Sequence, residues 1–125
     1  MLVVILLYLA VAITSAQQAT IIRTIQSLPL YAVEPVRVVR VVSIDKLYNH
    51  GLPYVCGESY IPQREIWYVA SEYCFADWHV EHSIAHEFAH FQPQCRQLWL
   101  TQQRQAAEFC ADTLATQWTS QLPHK

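Results

Sequence analysis

HSIAHEFAHF, residues 82–91, places His86, Glu87 and His90 within five positions of one another in a chain in which only 14% of the residues are charged. In an α-helix, residues four apart lie on the same face, about 6 Å from each other, so His86 and His90 would direct two imidazoles at one point. Two imidazoles in this arrangement can bind a single Zn²⁺, which takes histidine nitrogens at about 2.0–2.1 Å. The stretch therefore predicts a helix that carries part of a metal site.

Glu87 follows the first histidine and precedes the second by three residues, so it would lie beside the metal without binding it. This is the H-E-x-x-H pattern, in which the glutamate is the candidate general base for a metal-bound water. The extended metzincin form is excluded, because it has glycine and histidine where this chain has Pro93 and Arg96. Since so short a pattern also arises by chance, the interpretation requires a third ligand.

A second predicted helix offers that ligand. Glu108 lies 18 residues after His90, within AAEFCADTLA at 106–115, and Asp112 follows one turn later on the same helical face. A glutamate from a packed neighbouring helix completes a His₂Glu set and leaves the fourth position open for water. Asp112 could accept the free ring N–H of a ligand histidine, for which His86 is the preferred candidate.

HEFAH followed by a helical E-x-x-x-D resembles the gluzincin zinc metallopeptidases, and the small size of the chain resembles their most reduced members, the minigluzincins. The resemblance covers roughly residues 36–120, but its specific part is confined to five positions. It implies one Zn²⁺ bound by His86, His90 and Glu108. It further implies Glu87 as the base, Asp112 behind a ligand histidine, and a peptide or protein as the substrate.

The resemblance also implies that a strand shortly before the active-site helix lines the cleft and pairs with an extended substrate through a free sheet edge. The matching stretch is EIWYVA at 65–70, which makes these residues the candidate substrate contacts: Glu65, Ile66, Trp67, Tyr68 and Val69. The donor that stabilises the oxyanion is not selected by spacing, and four candidates stay open: Tyr54, Tyr60, Tyr73 and His124.

The length of 125 residues fits a single domain, and the net charge of −2 without a basic run argues against a nucleic-acid partner. The first thirteen residues, MLVVILLYLAVAI, are uncharged and too few to cross a bilayer comfortably, since a spanning helix needs roughly 20 apolar residues. With small residues at 14–16, they predict a signal peptide, residues 1–16, followed by the domain at 17–125. Because no Lys or Arg precedes the apolar run, a retained membrane anchor and a first helix of the domain are the alternatives.

Four cysteines occur, and none belongs to a C-x-x-C pair that would indicate a structural zinc site. Four cysteines allow three connectivities. We expect Cys56–Cys74, which would join neighbouring strands, and Cys95–Cys110, which would clamp the link between the two helices of the site. Disulfides are typical of oxidising compartments, so the chain is predicted to be secreted or periplasmic.

The secondary-structure pattern places strands before helices. Strands are predicted at 36–44, 54–60 and 65–70, and helices at 17–27, 77–91 and 102–120, with Asp77 and Thr101 as caps of the last two. This order predicts an α+β domain in which a small, mostly antiparallel sheet of three to four strands packs against the two site-bearing helices.

Two alternative functions stay open beside a zinc peptidase. One is a secreted, disulfide-stabilised domain whose zinc is structural and which cuts nothing. The other is an interaction domain with its histidines at a partner surface. His79 and His82 could rim the cleft, but no zincin-type pattern uses them as ligands. His50, in the turn after the first predicted strand, is interpreted as a surface residue. The oligomeric state is not determined by the sequence.

Overall fold

The computed structural model describes residues 5–46, 56–76 and 79–120. Within these ranges, four strands form one sheet: β1 (Leu6–Leu9), β2 (Val38–Val42), β3 (Gly57–Tyr60) and β4 (Glu65–Val69). The same described residues form five α-helices: α1 (Ser15–Ser27), α2 (Leu30–Val33), α3 (Val80–Ala89), α4 (Pro93–Leu100) and α5 (Arg104–Thr119). The predicted α+β class is confirmed, and the sheet has four strands.

The sheet is mixed, with the strand order β1-β2-β4-β3. β1 and β4 each pair with β2 in parallel, and only β3 pairs with β4 in antiparallel fashion. This corrects the expectation of a mostly antiparallel sheet. The physical reason is the crossover through α1 and α2, which returns the chain to the same end of the sheet and so makes β1 and β2 parallel.

The N-terminal apolar run contributes β1, whose residues pair from Leu6 with Val38 to Leu9 with Val41. α1 then begins with a capping box, in which the Gln17 amide donates to Thr14 Oγ1 (3.0 Å) and the Thr14 amide donates to Gln17 Oε1 (2.9 Å). The predicted helix at 17–27 is confirmed and starts two residues earlier. The folded chain therefore uses residues 6–9 in its sheet, and the position after Ala16 lies inside α1; removal of residues 1–16 stays a prediction.

The predicted strands at 36–44 and 65–70 are confirmed as β2 and β4, and the run at 54–60 contains β3, with its first two residues outside the described ranges. α3 begins at Val80, three residues later than expected. The proposed cap Asp77 lies outside the described residues. These shifts leave both histidines of the motif on α3 or at its C-terminal cap.

Two helices, α2 and α4, lie outside the helical ranges predicted from the sequence. A proline prevents a preceding helix from continuing, but Pro93 is the first residue of α4, where a proline costs no hydrogen bond. Thr101, expected to cap the second helix, lies at the C-terminal end of α4, where its hydroxyl donates to the Gln97 carbonyl (2.9 Å). Gln102 follows with φ 63°, a left-handed conformation that turns the chain into α5.

Both expected disulfides are present. Cys56–Cys74 links the start of β3 to the 3₁₀ turn Tyr73–Phe75 after β4, with 5.4 Å between the Cα atoms. Cys95–Cys110 links α4 to α5, with a Cα separation of 5.5 Å. Within the described ranges, no helix is both long and apolar enough to span a membrane.

The core lies between the sheet and α3, which packs against β3 and β4 on one side and α1 and α5 on the others. Ile66 and Tyr68 of β4 and Ile84 and Phe88 of α3 are almost completely buried. Each such side chain contributes about 1.5–3 kcal/mol relative to an exposed one. The helix that carries the H-E-x-x-H motif is therefore among the most firmly packed elements of the molecule.

Candidate metal centre

α3 brings the two histidines of the motif together as the helical spacing predicts. The Nε2 atoms of His86 and His90 lie 3.1 Å apart, with the rings nearly perpendicular at 82°. The side chains are 13% and 5% exposed, respectively. When both imidazoles are neutral, only one of the two Nε2 atoms can donate a hydrogen in this contact. The other Nε2 then presents a lone pair, which a metal ion could use.

Glu108 completes the group from α5. Its Oε2 lies 2.9 Å from His86 Nε2 and its Oε1 lies 3.1 Å from His90 Nε2. The three side chains each offer a ligand atom within 4.8 Å of the others, so they could hold a metal ion. Ligand atoms at about 2.0–2.1 Å from a tetrahedral zinc are roughly 3.3 Å apart, which is close to the spacing observed.

The buried face of α5 explains why Glu108 can reach the histidines. It carries an alanine every fourth residue: Ala107, Ala111 and Ala115 are all buried. The distance between two packed helices depends on the side chains at their contact, and alanines allow a close approach. α5 consequently packs along α3, with Glu108 at the border of the contact.

His86 and Glu108 of this group shift each other's pKa values. Burial by itself lowers the pKa of His86, but the hydrogen bond with Glu108 and the negative charges of Glu87, Glu108 and Asp112 outweigh it and raise the pKa to about 9. Hydrogen bonds from His86 and His90 hold the pKa of Glu108 well below its usual range. A metal cation bound by these groups would take the place of the proton that the carboxylates stabilise on His86.

Asp112 contacts the outer nitrogen of His86, with 2.7 Å between Oδ1 and Nδ1. A carboxylate at this position fixes the ring orientation and leaves Nε2 directed at the ligand group. His90 lacks such support: its Nδ1 is buried and has no hydrogen-bond partner among the residues that the structure describes. The two histidines are thus held by different means, His86 by a carboxylate and His90 by packing.

Glu87 lies on the sheet side of α3 and is only 7% exposed. Burial raises the pKa of its carboxyl group, and the neighbouring His86 and His90 partly offset this rise. The Ser59 hydroxyl lies 2.8 Å from Glu87 Oε1 and also 2.8 Å from the Glu87 carbonyl oxygen. Sequence reasoning missed Ser59, because a contact between β3 and α3 leaves no periodic signal in the chain.

The strand expected to line the cleft is not at the edge of the sheet. β4 pairs with β2 on one side and β3 on the other, so its backbone groups are already used. This corrects the expectation that residues 65–69 present a free edge. Ile66, Tyr68 and Val69 are buried, while Glu65 bonds to Arg40 (2.7 Å) and to the indole N–H of Trp67 (3.1 Å). In the part of the chain that is described, the edge strand next to Glu87 is β3.

Four other candidates lie in the described residues, and each of them contacts a neighbour outside the His86/His90/Glu108 group. Tyr60 donates to Glu58 (3.3 Å), and burial raises its pKa to about 12. The Tyr73 and His79 rings lie 5.1 Å apart, and His82 contacts Thr116. Three further residues named from the sequence fall outside the described ranges: His50, Tyr54 and His124.

Comparison of the chain with protein-family models, with curated proteins and with solved structures yields no match. The function must therefore be inferred from the chemistry of the site itself.

Proposed function

We propose that this protein is a zinc-dependent peptidase of the gluzincin type. The observation that carries the proposal is the donor set, in which His86, His90 and Glu108 offer ligand atoms within 4.8 Å of one another. Two imidazoles and one carboxylate, with a fourth position open, form the ligand set of catalytic zinc in hydrolases. Nitrogen-rich sets of this kind suit zinc better than calcium or magnesium, which prefer oxygen ligands.

Zinc, when bound, supplies a Lewis acid that polarises the scissile carbonyl and lowers the pKa of a coordinated water. The protein's own residues do the rest. Asp112 holds His86 in the tautomer that directs Nε2 at the ligand group. Glu87 takes the proton of the attacking water and delivers it to the leaving amine, which is the general acid–base role of the glutamate in H-E-x-x-H.

The substrate is proposed to be an extended peptide that pairs with the edge of β3, in place of β4. One observation supports this placement. β3 is the strand that contacts Glu87, through Ser59. The side chains of Glu108 and Asp112 are 60% and 59% exposed, which leaves the site open on the α5 side. Such an open cleft suits a polypeptide better than an enclosed small molecule.

The paired cysteines support an oxidising compartment, so we place the enzyme outside the cytoplasm, as a secreted or periplasmic protein. The alternative function is a disulfide-stabilised zinc domain without catalysis. The burial of Glu87 under β3 favours that alternative, because a general base must reach a water. The open side at Glu108 favours the peptidase.

The deciding experiment compares wild type, Glu87→Gln and Glu108→Ala. Bound zinc is measured by mass spectrometry, and activity is measured with a mixture of internally quenched peptides. Glu87→Gln should retain zinc and lose about 10²- to 10⁴-fold in kcat, whereas Glu108→Ala should lose zinc. The matched control is Glu81→Gln on the same helix, whose carboxylate pairs with Arg23 (3.3 Å). Zinc binding without cleavage by wild type would establish the non-catalytic alternative, and full activity of Glu87→Gln would exclude Glu87 as the base.

A further inference from the structure

β3 contacts the carboxylate of Glu87 from above α3. The Ser59 hydroxyl is within 2.8 Å of both Glu87 Oε1 and the Glu87 carbonyl oxygen. A hydroxyl carries one proton, so it donates to one of these oxygens at a time. When Glu87 is ionised, as a general base must be, the bond to its carboxylate is the stronger of the two, because charge-assisted hydrogen bonds are about twice as strong as neutral ones.

Gly57 lies two residues earlier on the same face of β3 and shapes the other side of this contact. A Cβ atom at this position would lie 2.8 Å from Glu87 Cγ, 3.2 Å from Cδ and 3.3 Å from Oε2. Any side chain other than hydrogen would therefore displace Glu87. Gly57, which has no side chain, and the hydroxyl of Ser59 together form the surface of β3 that the Glu87 side chain contacts.

The positions of Gly57 and Ser59 are held by the pairing of β3 with β4. Gly57 is opposite Tyr68 and Ser59 is opposite Ile66 in the β3–β4 ladder, and both β4 residues are almost fully buried. β4 is itself paired on both sides, so β3 has a rigid neighbour. Functional groups keep a productive geometry when the residues behind them are locked by packing and hydrogen bonds.

From this geometry we infer that Ser59 is a positioning residue for Glu87, and that Gly57 provides the space for the orientation that Ser59 selects. With Oε1 held by Ser59, Oε2 is the oxygen that takes the proton of the attacking water. The inference rests on the proposed peptidase function, since it assigns Ser59 a role only through Glu87.

The test uses the full-length, zinc-loaded protein. Ser59→Ala should lower kcat about 10- to 100-fold, with KM and zinc content unchanged, because a misplaced catalytic group costs up to about 10²-fold. Ser59→Thr, which keeps the hydroxyl, should recover kcat to within about threefold of wild type. Gly57→Ala keeps the hydroxyl but fills the space, and should lower kcat by a similar factor.

Ser71→Ala is the matched control, because its hydroxyl accepts a structural bond from the Cys74 amide (3.2 Å); its kcat should equal that of wild type. If Ser59→Ala keeps the wild-type kcat while Glu87→Gln is inactive, the inference is wrong and the peptidase function stands. Equal losses in Ser59→Ala and Ser59→Thr would also overturn it, since they indicate a packing effect. If wild type cleaves no peptide, both proposals fail.

Discussion

The two helices that supply the candidate metal site are held by the rest of the molecule in different ways. α3 is packed on several sides by α1, α5 and the sheet, and its two histidines are largely enclosed. α5 packs only on α3 and α4 among its main contacts, and it exposes Glu108, Asp112 and the 75% exposed ring of Phe109. The histidine half of the site is therefore fixed by the core on several sides, whereas the carboxylate half is positioned by the packing of α5 on α3 and α4.

Widening the contact between the helices should break the site most severely. Ala111→Leu inserts a large side chain into the buried face of α5, where overpacking costs about 1–3 kcal/mol of folding free energy. Because Glu108 moves with α5, zinc affinity should fall by at least about 100-fold. Competition with a chelating dye measures the affinity, and thermal unfolding measures the stability.

Ala106→Leu is the matched control for this change, since Ala106 is an exposed alanine on the same helix. It should leave both zinc affinity and stability within error of wild type. Equal zinc affinity in the two variants would show that the alanine face does not set the position of Glu108.

Removing the carboxylate behind His86 should have the next largest effect. Asp112→Ala leaves the three ligand atoms in place but frees the His86 ring, which Asp112 contacts at 2.7 Å. The loss of such a supporting group costs about 10- to 100-fold in metal affinity. Asp112→Asn, which can still accept a hydrogen bond, should lose less. An unchanged affinity in the alanine variant would mean that packing alone orients His86.

Opening the disulfide of α5 should have a smaller effect on the same half of the site. The double variant Cys95→Ala/Cys110→Ala removes the covalent link between α4 and α5, and we expect zinc affinity to fall about tenfold, equivalent to about 1.4 kcal/mol. The control is Cys56→Ala/Cys74→Ala, which should lower thermal stability without changing zinc affinity. If removing either disulfide weakens zinc binding equally, the position of Glu108 does not depend specifically on the link between α4 and α5.

A change on the sheet, away from both helices, should have the smallest effect and none on zinc. The hydrogen bond from Arg40 lowers the pKa of Glu65, against the opposing influence of burial. Because the folded pKa lies below the unfolded one, the pair stabilises the fold above about pH 4.5 and this contribution is lost as the pH falls through the folded pKa.

Glu65→Gln should therefore cost up to about 1 kcal/mol at pH 7 and less near pH 3. Urea unfolding at both pH values measures this, with the exposed Glu34→Gln as control. A cost that does not shrink in acid would show that the Arg40–Glu65 pair is not its origin.

The parts of the site that follow from local geometry could be predicted from the sequence. His86 and His90 face one point because they are one helical turn apart, and Asp112 shares a face with Glu108 for the same reason. Ser59 and Gly57 could not be found, since they contact Glu87 only after β3 has packed on α3. The approach of Glu108 to the two histidines also depends on tertiary packing. The buried alanines of α5 that allow it do not by themselves identify the helix against which they pack.

The fold was predictable to the same extent. The Val-rich run around Val39 identified β2, because β-branched residues are enriched in strands. The apolar run around Leu7 is equally compatible with an export signal and with a strand, so β1 and the parallel crossover were missed. Pro93 marks either the end or the start of a helix, and only the hydrogen bonds of α4 distinguish the two.

The Cys95–Cys110 bond and the metal group close nearly the same piece of chain: the disulfide spans 15 residues, and the separation from His90 to Glu108 is 18 (108 minus 90). The conformational entropy of this segment is therefore lost largely once, whichever closure forms first. If zinc binds as proposed, thermodynamic linkage makes the factor by which the disulfide tightens zinc binding equal to the factor by which zinc favours the disulfide over the two thiols. A chain that binds zinc before it is oxidised would then form the same disulfide more readily, so that metal binding and disulfide formation would promote each other.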